Sequence, residues 1–179
     1  KDLPKKIPIF PLSNCLLLPR GTISLNIFEP RYLNMTEDAI SSNRLIGMVQ
    51  PKNDYQDKQD LYPIGCVGKI THFSELKNHK YLIELTGICR YKLLNHSLTE
   101  KNYRVANIDY TKFFLDLEVS EVKLDLSLKK QFLYSLKNYF TSQKIDADWK
   151  IIEKAPSTVL INSLAQSCPF NTEEKQMLL

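Results

Sequence analysis

The stretch from Tyr81 to Leu94 constrains this chain most. Tyr81, Ile83, Leu85, Gly87, Cys89, Tyr91 and Leu93 alternate with a second set that includes Glu84, Thr86, Arg90 and Lys92. A period of two held over that length predicts a long β-strand with one face buried and the other meeting water or a second layer. Gly87, midway, predicts a bulge or bend of the kind that lets a sheet curl into a barrel. Ile64 to Phe73 reads as a second strand, with Gly65 and Gly68 offering similar bending points. Lys77, Asn78, His79 and Lys80 make a polar hairpin turn between the two. Ile7–Phe10, Thr22–Ile27, Leu45–Val49 and Tyr103–Tyr110 complete the strand set.

A helix interrupts these strands. Pro30 suits a first helical position, where its missing N–H would be unpaired anyway. Tyr32, Leu33, Thr36, Ala39 and Ile40 follow at helical spacing, and Ser41, Ser42 and Asn43 end the helix. From Leu126 the pattern changes. Leu128, Phe132, Leu133, Leu136, Tyr139 and Phe140 mark an amphipathic helix. A short helix is expected from Asp146 with Trp149 inward, and another from Pro156. A last helix opens at Asn171, with Glu174 placed for a capping box, and reads as cut off at Leu179. The expected organisation is a β-rich domain over 1–117 and a helical bundle over 118–179. The segment Asp116–Asp125 contains no Pro or Gly, which predicts a bundle packed on the barrel. Pro51–Pro63, carrying Asp54, Asp57 and Asp60, reads as a surface loop. The first residue is not Met, so the start reads as trimmed or processed.

Bulk properties narrow the class of function. The net charge of +4 arises wholly within the first 117 residues, too small an excess to imply a nucleic-acid partner. No run approaches the roughly 20 apolar residues of a membrane span. Cys15, Cys66, Cys89 and Cys168 are widely spaced in apolar contexts, which suits buried free thiols and a cytoplasmic setting. The Gly65-Cys66-Val67-Gly68-Lys69-Ile70 run lacks phosphate-loop spacing, and Ser or Thr does not follow the lysine. Cys66, His72, His79, Cys89 and His96 lack the spacing that places paired ligands on one zinc ion. Asp54, Asp57 and Asp60 lack the glycine and closing glutamate of a calcium loop. No serine or cysteine stands in a recognised order with a histidine. The chain is read as non-catalytic, with no metal and no cofactor.

Two sets of motifs go beyond this generic reading. The first joins Ile7-Pro8-Ile9-Phe10-Pro11-Leu12, Leu16-Leu17-Leu18-Pro19 and Leu25-Asn26-Ile27-Phe28-Glu29-Pro30-Arg31-Tyr32. The second joins Ile46-Gly47-Met48-Val49-Gln50-Pro51, Tyr62-Pro63-Ile64-Gly65-Cys66-Val67-Gly68-Lys69-Ile70 and Leu85-Thr86-Gly87-Ile88-Cys89-Arg90-Tyr91. Together they resemble the substrate-binding N-terminal domain of Lon-type proteases, in its small stand-alone bacterial form. Asp148-Trp149, Ala155-Pro156 and Pro169-Phe170 are similar to the same proteins. Gly21-Thr22-Ile23-Ser24 departs from the family, which has a more apolar, proline-containing approach there. The resemblance implies an α+β fold: a PUA-like β-barrel with one inserted helix, then a small helical bundle. Nothing in the chain matches the family's ATPase or protease domains.

The function that follows is binding of unfolded or exposed apolar polypeptide, as an adaptor or recognition factor in protein quality control. The partner would be a protease or its substrates. Candidate binding residues are Leu16, Leu17, Leu18, Phe28, Glu29, Arg31 and Tyr32. Each group has a second reading. The leucines also suit a buried strand, since an apolar run is more often buried. Glu29 and Arg31 also suit a helix-capping acid and its ion-paired neighbour, which fix the strand-to-helix corner. RNA binding is the alternative function, since PUA-like folds elsewhere bind RNA.

Overall fold

A computed structural model describes residues 3–52, 60–118 and 125–179. The chain is α+β. Its strands are β1 (Lys6–Pro11), β2 (Thr22–Ile27), β3 (Leu45–Val49), β4 (Ile64–Leu76), β5 (Lys80–Leu98) and β6 (Arg104–Asp109). Helix α1 (Pro30–Ile40) lies between β2 and β3, and a 3-10 helix (Thr111–Leu117) follows β6. Then come α2 (Leu126–Ser142), α3 (Trp149–Lys154), α4 (Ser157–Ser167) and α5 (Thr172–Met177). Parts of the predicted surface loop (53–59) and of the predicted linker (119–124) lie outside the described residues.

Strand β5 is the spine of the sheet. Its first half pairs with β2, from Ile27 opposite Tyr81 to Thr22 opposite Thr86. Strand β4 pairs along most of the length of β5, and the last part of β5 pairs with β6. The order is β2-β5-β4-β3-β1-β6, with β6 returning to β5, so the sheet closes on itself. Strands β1 and β3 pair in parallel, and the other pairs are antiparallel. Among the described residues β2 is the named strand with a single neighbour.

The expected bend is present beside Gly87. Val67 pairs with Cys89 but Gly68 pairs with Gly87, leaving Ile88 as the extra residue of a bulge. The bend divides the buried face of β5 between two cores. Ile83 and Leu85 pack with Phe10, Leu17, Leu25, Ile27 and the α1 residues Tyr32, Met35 and Ala39. Cys89 and Tyr91 pack with Ile7, Ile9, Val67, Ala106 and Ile108. At the division the chain from Leu18 to Gly21 crosses β5 at close range. Arg20 N–H donates to Gly87 O, and Gly87 N–H to Gly21 O, each at 2.8 Å. A β-carbon on residue 87 would lie 2.1 Å from the Leu18 carbonyl oxygen.

This crossing explains the three leucines. Leu17 enters the first core, while Leu16 and Leu18 pack with Ala165 and the partly buried Leu179. All three are buried. The run lacks a period of two because both of its sides are covered.

By internal contacts the chain divides into two compact units. One is Lys1–Glu118 with Ala165–Leu179, and the other is Val119–Leu164. Residues 165–179, expected in the helical domain, group with the sheet because polar anchors hold them there. The Lys175 ammonium donates to Asn14 O at 2.8 Å, and the Thr172 hydroxyl to Asn14 Oδ1 at 2.9 Å. Gln176 Nε2 donates to Ile64 O at 3.1 Å, and Arg90 Nη1 to Leu179 O at 2.9 Å. Helix α5 opens with the predicted capping box, in which Asn171 and Glu174 exchange bonds of 2.9 Å. In the other unit, Leu136 and Phe140 of α2 are buried, and the Phe140 ring lies 5.7 Å from Trp149. Asp148 caps α3 by accepting from Lys150 N–H and Ile151 N–H.

The 3-10 helix, absent from the sequence reading, is fixed by Asp116. Its carboxylate takes Arg90 Nη2 at 2.8 Å, Arg90 Nε at 2.9 Å and the Arg90 backbone N–H at 2.9 Å. Burial pushes the Asp116 pKa up, but the Arg90 bonds outweigh it and hold the carboxyl below its usual value. The folded pKa lies below the unfolded one. Its stabilisation is therefore complete at neutral pH and is lost as pH falls through the folded value.

Two variants check these points. Gly87→Ala forces the crossing segment away from β5 and should cost about 2–4 kcal/mol in urea unfolding. Asp116→Ala should cost about 2 kcal/mol at neutral pH. Its deficit against the parent should shrink as the pH is lowered through the carboxylate range, which urea midpoints across that range would show.

Candidate functional site

A cavity of ≈290 Å³ opens where the end of β1 and its following turn approach β2 and the β2–α1 corner. Phe10, Leu25, Ile27 and Tyr32 give it an apolar floor, and Asn26, Phe28, Glu29 and Arg31 stand around the rim. The floor follows from local sequence. Leu25 and Ile27 are the inward residues of an alternating strand, so Asn26 between them faces out. Pro30 then starts α1 directly after β2 and turns Tyr32 back onto Phe10, with ring centroids 4.2 Å apart.

Phe28 is 62% exposed, a large apolar side chain presented at the corner. Arg31 lies with its guanidinium 4.6 Å from the Tyr32 ring centroid and pairs with Glu29, Nη2 to Oε2, at 2.7 Å. Of the structural role expected for Glu29, the ion pair is present. The capping bond is not, because the carboxylate is turned to Arg31 and makes no side-chain cap. Burial, followed by the Glu29 charge, raises the Tyr32 phenol pKa against the opposing pull of Arg31 and Arg104, so the ring stays neutral.

Four predicted residues, Phe28, Glu29, Arg31 and Tyr32, therefore meet at one cavity. Leu16, Leu17 and Leu18 do not join them. They are interior and offer no binding surface, because covering both sides of the crossing segment requires them to be buried. The reading missed Phe10 and Asn26, which reach the cavity only through the closeness of β1 and β2. It also missed Gln50, a buried residue whose Nε2 donates to Thr172 O at 3.2 Å and to Gln176 Oε1 at 3.3 Å. No periodicity marks such a residue.

The arrangement suits binding. Among the described residues, Arg31 is the basic side chain of the cavity lining, and it is paired with Glu29 rather than left free for a phosphate. The phosphate-loop-like run is ordinary strand within β4. Among the described residues, no cluster of three His, Cys, Asp or Glu side chains is placed to hold a metal ion. No thiol is activated. Burial raises Cys15 and Cys89 to about 11, and pushes Cys66 and Cys168 above the ordinary thiol value.

The family described as "ATP-dependent protease La (LON) substrate-binding domain" matches residues 6–179. A Lon protease of Dictyoglomus thermophilum is 28% identical over 194 residues, covering 100% of this chain and 23% of the relative. Lon protease 2 of Myxococcus xanthus is 26% identical over 134 residues, covering 73% of this chain and 16% of the relative. The chain thus spans less than a quarter of the length of either relative. Among solved structures, a Lon N-terminal domain protein from Xanthomonas campestris superposes with a TM-score of 0.62 at 19% identity. It covers 97% of this chain and 88% of its own. The N-terminal domain of a Mycobacterium avium complex Lon protease gives 0.58 at 14% identity, covering 97% and 89%.

The thiol environment is open to direct measurement. In the native protein the cysteines should react with a disulfide reagent far more slowly than free cysteine at mildly alkaline pH. After denaturation all four should titrate rapidly.

Proposed function

Because this chain belongs to the ATP-dependent protease La (LON) substrate-binding domain family, we propose that it binds segments of protein substrates through the cavity at the β2–α1 corner. The observation that carries this reading is the exposed Phe28 beside an apolar floor, with the nearby Arg31 charge matched by Glu29. A neutral apolar cavity with an aromatic at its rim favours apolar side chains of an unfolded chain over ions or phosphates. Native proteins hide such side chains, so the cavity would select non-native polypeptide.

We read the chain as non-catalytic, serving recognition in protein quality control as an adaptor or recognition factor in a cytoplasmic setting. No helix of the described residues is long and apolar enough to cross a membrane. The RNA-binding alternative draws no support from the family match, and the Glu29–Arg31 pair removes the cation it would need at this cavity.

The reading is checked with a reduced, carboxymethylated, permanently unfolded protein as the ligand. It should be retained by this chain, while the same protein in its native form is not. Phe28→Ala should weaken that binding roughly tenfold, as expected for an interface aromatic. Its thermal midpoint should hardly move, because the ring is mostly exposed. Equal retention of native and unfolded ligand, or undiminished binding by Phe28→Ala, would count against the proposal.

A further inference from the structure

The cavity does not stand alone: it lies against the edge of β2, whose residues Leu25, Asn26 and Ile27 form part of its wall. Closure of the sheet leaves β2 with β5 as its one strand neighbour among the described residues. The register shows which backbone groups this leaves over. Gly87 N–H donates to Gly21 O, and Thr22 is opposite Thr86. By the alternation of an antiparallel ladder, Ile23, Leu25 and Ile27 spend their backbone groups on β5. Thr22, Ser24 and Asn26 then turn N–H and C=O outward, and all three are exposed. Two-residue spacing puts these outward groups about 6.6–6.8 Å apart.

Edges of this kind are usually guarded by lysine, proline or an inward-pointing charge. Thr22-Ile23-Ser24-Leu25-Asn26-Ile27 contains none of them. We propose that an extended segment of an unfolded polypeptide adds as a further strand to the open edge of β2, seating an apolar side chain in the cavity beside Phe28 and Tyr32. This rests on the reading of the cavity as a polypeptide site and deepens it, because it names the bound conformation and the groups that hold it. Backbone pairing explains how one site accepts many sequences: the ladder bonds are common to every chain, and one apolar residue supplies the anchor.

The occupant is argued from the geometry. Alternating donors and acceptors at strand spacing are matched by an extended backbone and by no helix, whose own groups are already paired. A second copy of this chain is a poorer match. Two β2 edges paired antiparallel about their centres would set Gly21, Thr22 and Ile23 of the other copy against the cavity end. Gly21 and Thr22 are too small to fill its apolar floor, and Ile23 already packs against its own first core.

The test uses a fluorescent nonapeptide of alternating apolar and uncharged polar residues, with binding read by anisotropy. Two forms carry N-methyl groups on alternate backbone nitrogens, in one phase or the other. The unmethylated peptide should bind, methylation in one phase should weaken it tenfold or more, and methylation in the other should have little effect. Ser24→Pro removes an outward N–H while leaving the β2–β5 ladder intact, and should weaken binding of the unmethylated peptide about tenfold. Circular dichroism reports whether that variant folds, and the methylated pair needs no variant at all. Equal binding of both methylated forms, with Phe28→Ala still weakened, overturns strand addition and leaves the polypeptide site standing. No binding of the unmethylated peptide or of the unfolded protein overturns both. Concentration-dependent dimers that Ser24→Pro abolishes would assign the edge to a second copy and overturn the proposal.

Discussion

The Leu18 carbonyl occupies space beside β5 that any side chain on residue 87 would need. Much of the first unit depends on that contact. It lets the segment before β2 cross the spine strand, and Leu17 then fills the core under Ile83 and Leu85. The same crossing brings Gly21 onto the β5 ladder and so sets the register of β2. On its far side it leaves Leu16 and Leu18 for Ala165 to cover. One missing β-carbon thus couples the bend of the sheet, the placement of β2 and the docking of the last residues of the chain.

The polar anchors around that crossing act on the same parts. Asn14, in a left-handed conformation with φ of 59°, presents both its carbonyl and its side-chain oxygen to α5. Asparagine adopts that conformation more readily than most residues. Arg90 joins the Asp116 carboxylate to the carbonyl of Leu179, so the 3-10 helix and Leu179 share one guanidinium. Such planar, fork-like bonding is specific to arginine, and a lysine could not reproduce it. Among the described residues, β2 pairs with β5 on one side and has no strand neighbour on the other.

The candidate site was half legible. Phe28, Glu29, Arg31 and Tyr32 stand out because a proline after a strand forces a sharp corner, and corners present side chains. The leucines at 16–18 misled for a physical reason: a segment buried on both faces carries an apolar run that resembles an exposed binding patch. Phe10 and Asn26 could not be read, since they line one cavity only when the fold brings the end of β1 near the end of β2.

Local periodicity determined the strands and α1, because an alternation of two or a stripe of 3.6 is written into neighbouring residues. It also determined the α5 cap, whose partners are three residues apart. The bend at Gly87 was legible as a place. What crosses there was not, because Leu18 is far from Gly87 in sequence. Only the tertiary structure decided that β2 would have β5 as its one strand neighbour among the described residues, that residues 165–179 would join the barrel, and that Asp116 would hold a 3-10 helix onto Arg90. Each of these is a contact between residues distant in the chain, and a period carries information only about neighbours.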